Sequence, residues 1–338
     1  MIKVTPYLKG RFARDCKVPI KIFIEPYFSA RLELMDEMFQ TKEKYDRFLT
    51  SLSHYENEQA YMADYNRVKN EAMAYITERP EYTSFLNMPS DAFAASPTVS
   101  VTKKNIYKNT LVGHKLVSID MKQANFHVLL YFDSDMFGGA RTWEDFIRKF
   151  TDNEHIIHSK YVREVILGNC AVKRQVALES MLTCSLFNSI CGLSEAEPVS
   201  LSNDEIVFDI TNCKDQASVI RNISRGCTEW IETEGEWIIQ LRVEPFTLWK
   251  VQGTDGYIRN IENEDTNVRN LDIKCATSKM MPFIIRALNN EPVKPDEDAV
   301  FVDDNGLLAM YVQMPEIKIL KEMMDGNNIN EDTKYEKN

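Results

Sequence analysis

The sequence predicts an α+β fold, an antiparallel sheet backed by helices and preceded by a mainly helical N-terminal region. Three observations predict it. Between residues 30 and 78, Met35, Met38, Phe39, Tyr45, Phe48, Leu49 and Leu52 recur at three- and four-residue steps, the period of an amphipathic helix. From about residue 111, short β-prone apolar runs alternate with longer helical stretches. Their order is strand, helices, β-hairpin, helix, strands, which suits a sheet covered by helices.

Along the chain, residues 1 to about 25 alternate apolar and polar side chains, and Val18-Pro19-Ile20-Lys21-Ile22-Phe23-Ile24 predicts a strand. A second long helix is expected over 57–78. Pro, Ser and Ala gather in 85–103, which reads as a loop or linker. A strand follows through Leu116 to Asp120, then a helix over 121–133. Helices are expected at Trp143 to Phe150, at His155 to Leu167 and over 171–190, the last closing at Gly192. A hairpin is expected around 201–210 and a helix from Val219 to Glu232. Strands at about 237–251 and 256–261, a helix at 277–289 and a hairpin at 299–313 complete the set. Asp304-Asn305-Gly306 supplies the turn of that last hairpin. The tail from 324 is polar and reads as disordered. There is no internal repeat. The expected organisation is an N-terminal helical region over 1–100, a unit built on the sheet over 101–323, and a tail over 324–338.

The 338 residues suffice for one large domain or two modest ones, and 44% hydrophobic content supports a proper core. A net charge of −11 disfavours a protein that grips nucleic acid through a broad basic surface. The 40 Lys and Arg still allow a local basic groove, and an acidic chain can work beside a basic partner. Seven cysteines stand at 16, 170, 184, 191, 213, 227 and 275, with no C-x-x-C pair, so a zinc ribbon is not indicated. They read as reduced core cysteines. The opening MIKVTPYLKGRFARD carries no long apolar stretch after its charges, unlike a signal peptide. No run approaches the roughly 18 apolar residues of a spanning helix. A cytoplasmic protein without a membrane partner is expected.

Two segments carry the chemistry. One is Ser118-Ile119-Asp120-Met121-Lys122-Gln123-Ala124-Asn125-Phe126-His127-Val128-Leu129. The other is Leu201-Ser202-Asn203-Asp204-Glu205-Ile206-Val207-Phe208-Asp209-Ile210. Each sets an acidic residue at the end or turn of an apolar run. Asp120 and Asp204 lie 84 residues apart, so only the fold could join them. Two carboxylates on adjacent strands can hold divalent cations, and two-metal sites of that kind serve phosphoryl transfer, where positioning and charge stabilisation do most of the work.

The first segment resembles motif A of family A DNA polymerases, where Asp is followed three residues later by Gln and then by a Val-Leu pair. The second resembles that family's motif C, His-Asp-Glu before an apolar strand, with Asn203 in place of the histidine. The resemblance implies a palm-like catalytic domain in which Asp120, the Met121 carbonyl and Asp204 ligate Mg²⁺ (or Mn²⁺), with Glu205 as accessory acid. The family's steric-gate glutamate falls on Asn125, which bears on sugar discrimination. Phe187-Asn188-Ser189-Ile190-Cys191-Gly192 is similar to motif B of protein-primed viral family B polymerases. Their triphosphate-binding lysine falls on Cys184, and Lys173 and Arg174 earlier on the helix are the substitutes. Their Asp-x-Asp motif falls on Ser202 and Asp204.

The resemblance covers about 111–285. It implies nucleotide contacts from Met121, Gln123, Asn125, Lys173, Arg174 and Asn188. It implies primer-template contacts near Lys250, Tyr257 and Lys274, where Gly256-Tyr257-Ile258-Arg259 and Asp272-Ile273-Lys274-Cys275-Ala276 resemble the region after motif C. It also implies reduced fingers at about 135–192 and a thumb-like or partner-binding region over 1–100. The implied activity is a template-directed, two-metal nucleotidyltransferase, viral in character and so acting in a host cell cytoplasm. Its partners would be primer-template, nucleoside triphosphates and other replication or transcription subunits. Two alternatives stay open: a catalytically degenerate polymerase-like subunit, and a template-independent or tRNA-repair-type transferase. Trp143, Trp230, Trp237 and Trp249 read as packing residues. His155 and His158 lack an evident third ligand for a metal.

Overall fold

The computed structural model describes residues 2–89, 91–101, 105–262 and 270–322. The N-terminal region is helical: α1 (Pro6–Asp15), α2 (Tyr27–Leu34), α3 (Asp36–Phe39), α4 (Thr41–Leu52), α5 (Glu58–Thr77) and α6 (Pro80–Asn87). Local sequence explains the starts. The Thr5 side chain accepts a hydrogen bond from the Leu8 N–H ahead of a proline in the first turn of α1, and Asn57 accepts from the Ala60 N–H to open α5. Along α5 the buried residues Tyr61, Tyr65, Val68, Ala72 and Ile76 form one stripe at three- and four-residue steps.

The strand expected at 18–24 is not there. The alternation is real, since Val18, Ile20 and Ile22 are buried while Lys21 is exposed. The segment packs Val18 and Ile20 into the helical core without a strand partner. Pro19 has no N–H to donate, and the Ile20 N–H turns back to the Val18 carbonyl.

The sheet begins with β1 (Lys115–Met121), reached through a short helical turn at Asn109–Leu111. Five helices follow: α7 (Ala124–Phe132), α8 (Trp143–Ile147), α9 (Glu154–Ile157), α10 (Lys160–Gly168) and α11 (Val172–Ile190). The single helix expected at His155 to Leu167 is two, because Ser159 caps a new start by accepting from the Val162 N–H. The end of α11 falls at Cys191 in right-handed geometry rather than on Gly192. Next come β2 (Glu197–Leu201), β3 (Glu205–Asp209), α12 (Gln216–Thr233), β4 (Leu241–Gln252), β5 (Tyr257–Ile261) and β6 (Asn270–Lys274). The chain continues through α13 (Met281–Asn289), α14 (Pro295–Asp298), the hairpin β7 (Val300–Val302) and β8 (Leu308–Met310), and β9 (Lys318–Leu320). The β7–β8 turn is built as expected: Gly306 has φ +81°, and Asp303 accepts from the Asn305 and Leu307 N–H groups. The tail expected to be disordered lies outside the described residues.

Strand order is β2-β3-β1-β4-β5-β6, with all neighbours antiparallel and β9 paired to the far end of β4. The units β1–helices–β2 and β3–α12–β4 interleave as two split β-α-β units. Side chains alternate between the faces. Val117, Ile119 and Met121 of β1, with Ile206 and Phe208 of β3, join the main core under the helices, which extends from Leu8 to Ile285 and so includes the N-terminal region. The opposite face carries Leu116, Val207, Phe246, Leu248 and Tyr257, covered by Ile106, Leu111 and Val112. Further along that face the side chains turn polar, at Ser118, Asp120, Glu205, Arg242 and Glu244.

Trp143, Trp230 and Trp249 pack as expected, but Trp237 is 68% exposed, in a turn after α12 where its φ is +58°. All seven cysteines are free, and Cys170, Cys184 and Cys227 are buried. Among the described residues no helix is long and apolar enough to cross a membrane.

A buried ion network joins α2 to the C-terminal elements. Asp298 is fully buried and accepts from Arg31 at 3.1 Å, Arg286 at 3.1 Å and the Lys294 N–H at 2.9 Å. Asp298→Ala leaves two buried guanidiniums without their shared carboxylate. It is expected to lower stability by about 3–5 kcal/mol, read from the urea midpoint at unchanged slope. A loss below about 1 kcal/mol would contradict that role.

Candidate active site

Strand register creates the site. Asp120 on β1 stands opposite Glu205 on β3, and one step further the Met121 N–H donates to the Asp204 carbonyl at 2.9 Å. Asn203 and Asp204 form the two-residue turn between β2 and β3. The Ser202 N–H donates to the Glu205 carbonyl at 2.8 Å, and the Ser202 hydroxyl accepts from the Glu205 N–H at 3.0 Å. Helix α11 anchors the turn: Ser180 Oγ donates to Asn203 Oδ1 at 2.8 Å, and Thr183 Oγ1 donates to the Asn203 carbonyl at 2.6 Å. Asp204 therefore sits exposed on a fixed turn beside the half-buried Asp120.

The charges fall into two groups. Arg259 of β5 reaches Glu205 with both terminal nitrogens, at 2.6 and 3.2 Å, and Ser118 Oγ donates to the same carboxylate at 2.6 Å. Its Nε donates to Tyr107 Oη at 2.9 Å, and the guanidinium lies 4.8 Å from the Phe246 ring centre. Burial raises the Glu205 pKa, but Arg259 and Ser118 outweigh it, so the group stays below the ordinary glutamate value. The second group is looser. Arg242 of β4 donates to Asp120 at 3.1 Å and lies 3.3 Å from Glu244, with its side chain half exposed. The Asp120 pKa is pushed up by burial, against Arg242, with further upward pressure from Glu205 and Asp204. Glu244 is likewise raised, by burial first and then against Arg242 by Asp120.

A further carboxyl group comes from α11. Glu179 is 9% exposed, and burial followed by the charge of Asp204 pushes its pKa to about 7. Among the described residues, no group of three or more His, Cys, Asp or Glu side chains is placed to hold a metal ion. Magnesium keeps several waters and takes substrate oxygens. The residues that could hold a cation at this end of the sheet are Asp120 and Asp204, with the Met121 backbone between them.

The other expected site residues are divided. Gln123, at φ +45°, caps α7 through its carbonyl, which accepts from Phe126 and His127, and Asn125 lies half-buried in the first turn of that helix. Both follow closely on Asp120. Lys173 is exposed at the start of α11. Arg174 donates to the Phe85 and Met88 carbonyls at 3.2 and 2.8 Å, tying α11 to the end of α6. Asn188 clamps the loop before β1, accepting from the Thr98 N–H and donating to the Ser96 carbonyl. Lys250, Tyr257 and Lys274 do form one row across β4, β5 and β6, with Lys250 Nζ 4.0 Å from the Tyr257 ring centre. Lys274 pairs with Asp272 at 2.8 Å. That row is eight residues along β4 from Arg242, about 26 Å at ~3.3 Å per residue. His155 is buried against Asp15 at 3.1 Å.

Arg242, Glu244, Tyr107 and Glu179 were not expected as site residues, and Arg259 was expected only as part of the strand Gly256-Tyr257-Ile258-Arg259 near primer-template. Two signals were present. Arg242 and Glu244 share parity with Phe246 and Leu248, which marks where one face of β4 changes from covered to open. Gln175, Glu179 and Thr183 repeat every four residues on the buried side of α11, a polar line within an apolar face.

The chain matches no protein-family model, no curated protein and no solved structure.

Glu179 yields a pH prediction. Its pKa rises from 4.5, its ordinary value, to about 7 in the folded chain, so between those values the folded form binds more protons than the unfolded form. Stability is expected to fall as pH rises across that window, by up to about 3 kcal/mol, and then to level off. Glu179→Gln removes the ionisation. Urea titrations from pH 4.5 to 8 should show the variant matching the parent at the acid end and exceeding it at pH 8. Parallel curves for the two proteins would contradict the assignment.

Proposed function

We propose that this chain is a palm-type nucleotidyltransferase that extends a nucleic-acid 3′ end. The observation that carries the reading is the convergence of Asp120 and Asp204, 84 residues apart in sequence, at one end of neighbouring strands β1 and β3. A divalent cation held there supplies charge neutralisation for the attacking 3′ oxygen and the leaving pyrophosphate. The protein's share is positioning. The β2–β3 turn, fixed to α11, holds Asp204, and the β1 ladder holds Asp120. Glu205, locked to Arg259, keeps β3 and β5 in register. Asn125, in the first turn of α7 five residues past Asp120, is the side chain that would read the sugar.

A second reading has its own support. Arg242 and Arg259 pair with Asp120 and Glu205, and Arg174 is engaged with backbone carbonyls. Such neutralised acids suit a polymerase-like subunit that acts within a larger assembly.

Extension of a primed template separates the two. Purified protein with Mg²⁺ or Mn²⁺ and each nucleotide pool is expected to extend the primer. Asp120→Asn and Asp204→Asn should each lower the rate on the order of 10³-fold at unchanged fold. The productive pool identifies the sugar. No extension from folded protein under any of these conditions would replace the first reading with the second.

A further inference from the structure

The proposed reaction needs a cation for the triphosphate, and the sequence placed that role on Lys173 or Arg174. Neither reaches the acids: Arg174 is bonded to the Phe85 and Met88 carbonyls, and Lys173 points into solvent at the start of α11. The motif B lysine position is the buried Cys184. We propose that Arg242 is the polyphosphate-binding residue of this site. It exchanges its contact with Asp120 for phosphate oxygens when a nucleoside triphosphate binds with its divalent cation. The proposal rests on the nucleotidyltransferase reading and names the residue that receives its substrate.

Three features support the exchange. Arg242 stands directly opposite Asp120 in the β1–β4 ladder, so both side chains leave the same face of the sheet at the same end. Its contacts are those of a surface pair: one nitrogen to Asp120 at 3.1 Å, another to Glu244 at 3.3 Å, with the side chain 50% exposed. A pair of that kind is weak, so giving it up costs little. Arg259 shows the opposite design. Its side chain is 9% exposed, bonded twice to Glu205, once to Tyr107 and stacked near Phe246, so it is not free to move. A guanidinium can meet two phosphate oxygens at once, a match that an ammonium lacks.

The exchange predicts opposite effects on two ligands. Without Arg242, Asp120 loses a competitor for the cation, so Mn²⁺ alone should bind more tightly. The same change removes the phosphate contact, so Mn²⁺ with triphosphate should bind less tightly. A residue that only neutralised Asp120 would move both affinities upward.

The experiment is Mn²⁺ binding to the full chain by electron paramagnetic resonance, with and without a β,γ-methylene nucleoside triphosphate. Parent, Arg242→Gln and Arg242→Lys are compared, each checked for fold by circular dichroism. Arg242→Gln is expected to bind Mn²⁺ about threefold more tightly and the triphosphate complex about tenfold more weakly. Arg242→Lys, which keeps charge but loses the fork, should fall between and gives the test if the glutamine variant does not fold. Triphosphate affinity that is unchanged or raised in the folded variants, from a parent that binds it, overturns this proposal alone. A parent that binds neither Mn²⁺ nor triphosphate overturns it together with the nucleotidyltransferase reading.

Discussion

The pairing of β1 with β3 determines where each charged group of the site stands. Because side chains alternate, a one-residue slip would carry Asp120 under the helices and bring Ile119 out to solvent. The core prevents it. Val117, Ile119 and Met121 lie in the main core with Ile206 and Phe208 of β3, and turning those three β1 side chains out would cost on the order of 6 kcal/mol. The register is thus imposed from the helix-covered face, while its consequence, an acidic end, appears on the other. The Asn203-Asp204 turn gains a second restraint from Ser180 and Thr183, which is how α11 comes to touch the acidic end of the sheet.

Two guanidiniums divide the acids at this end of the sheet into a fixed set and a free set. Arg259 crosses from β5 over β4 and β1 to Glu205 on β3, and its aromatic and phenolic contacts hold it in place. That pair clips four strands together. Arg242 makes a short, exposed contact on the neighbouring strand. Burial first raises Asp120 and Glu179 above ordinary carboxyl behaviour, and the negative charge of neighbouring Asp204 adds to that imbalance. An added divalent cation would relieve that imbalance directly.

Periodicity made the long elements legible. The helix over 57–78 appears as Glu58–Thr77, and the strand through Leu116 to Asp120 appears as Lys115–Met121. Turn chemistry placed Gly306 correctly. The failures share a cause, which is that a local pattern does not name its partner. Val18 to Ile24 alternates as a strand does, yet no strand lies beside it. Arg174 sits on a helix face that could point anywhere, and only the fold shows it meeting Phe85 and Met88. Arg242 and Arg259 matter because of strands brought alongside from far away in sequence, and the parity of Arg242 with Phe246 and Leu248 marks its face of β4 but not its partner Asp120. Glu179 was the nearest miss, since a charged side chain in a buried four-residue repeat is visible once that repeat is taken as core.

The proposed function requires Asp120 and Asp204 to act as one cation site. The most direct measurement is an anomalous difference map from crystals of the full chain grown with Mn²⁺ and a non-hydrolysable nucleoside triphosphate. A manganese peak is expected at roughly 2.0–2.3 Å from both the Asp120 and Asp204 carboxylates, together with phosphate oxygens. A map with the triphosphate bound elsewhere, or with manganese absent from both carboxylates while Arg242 still pairs with Asp120, would contradict it.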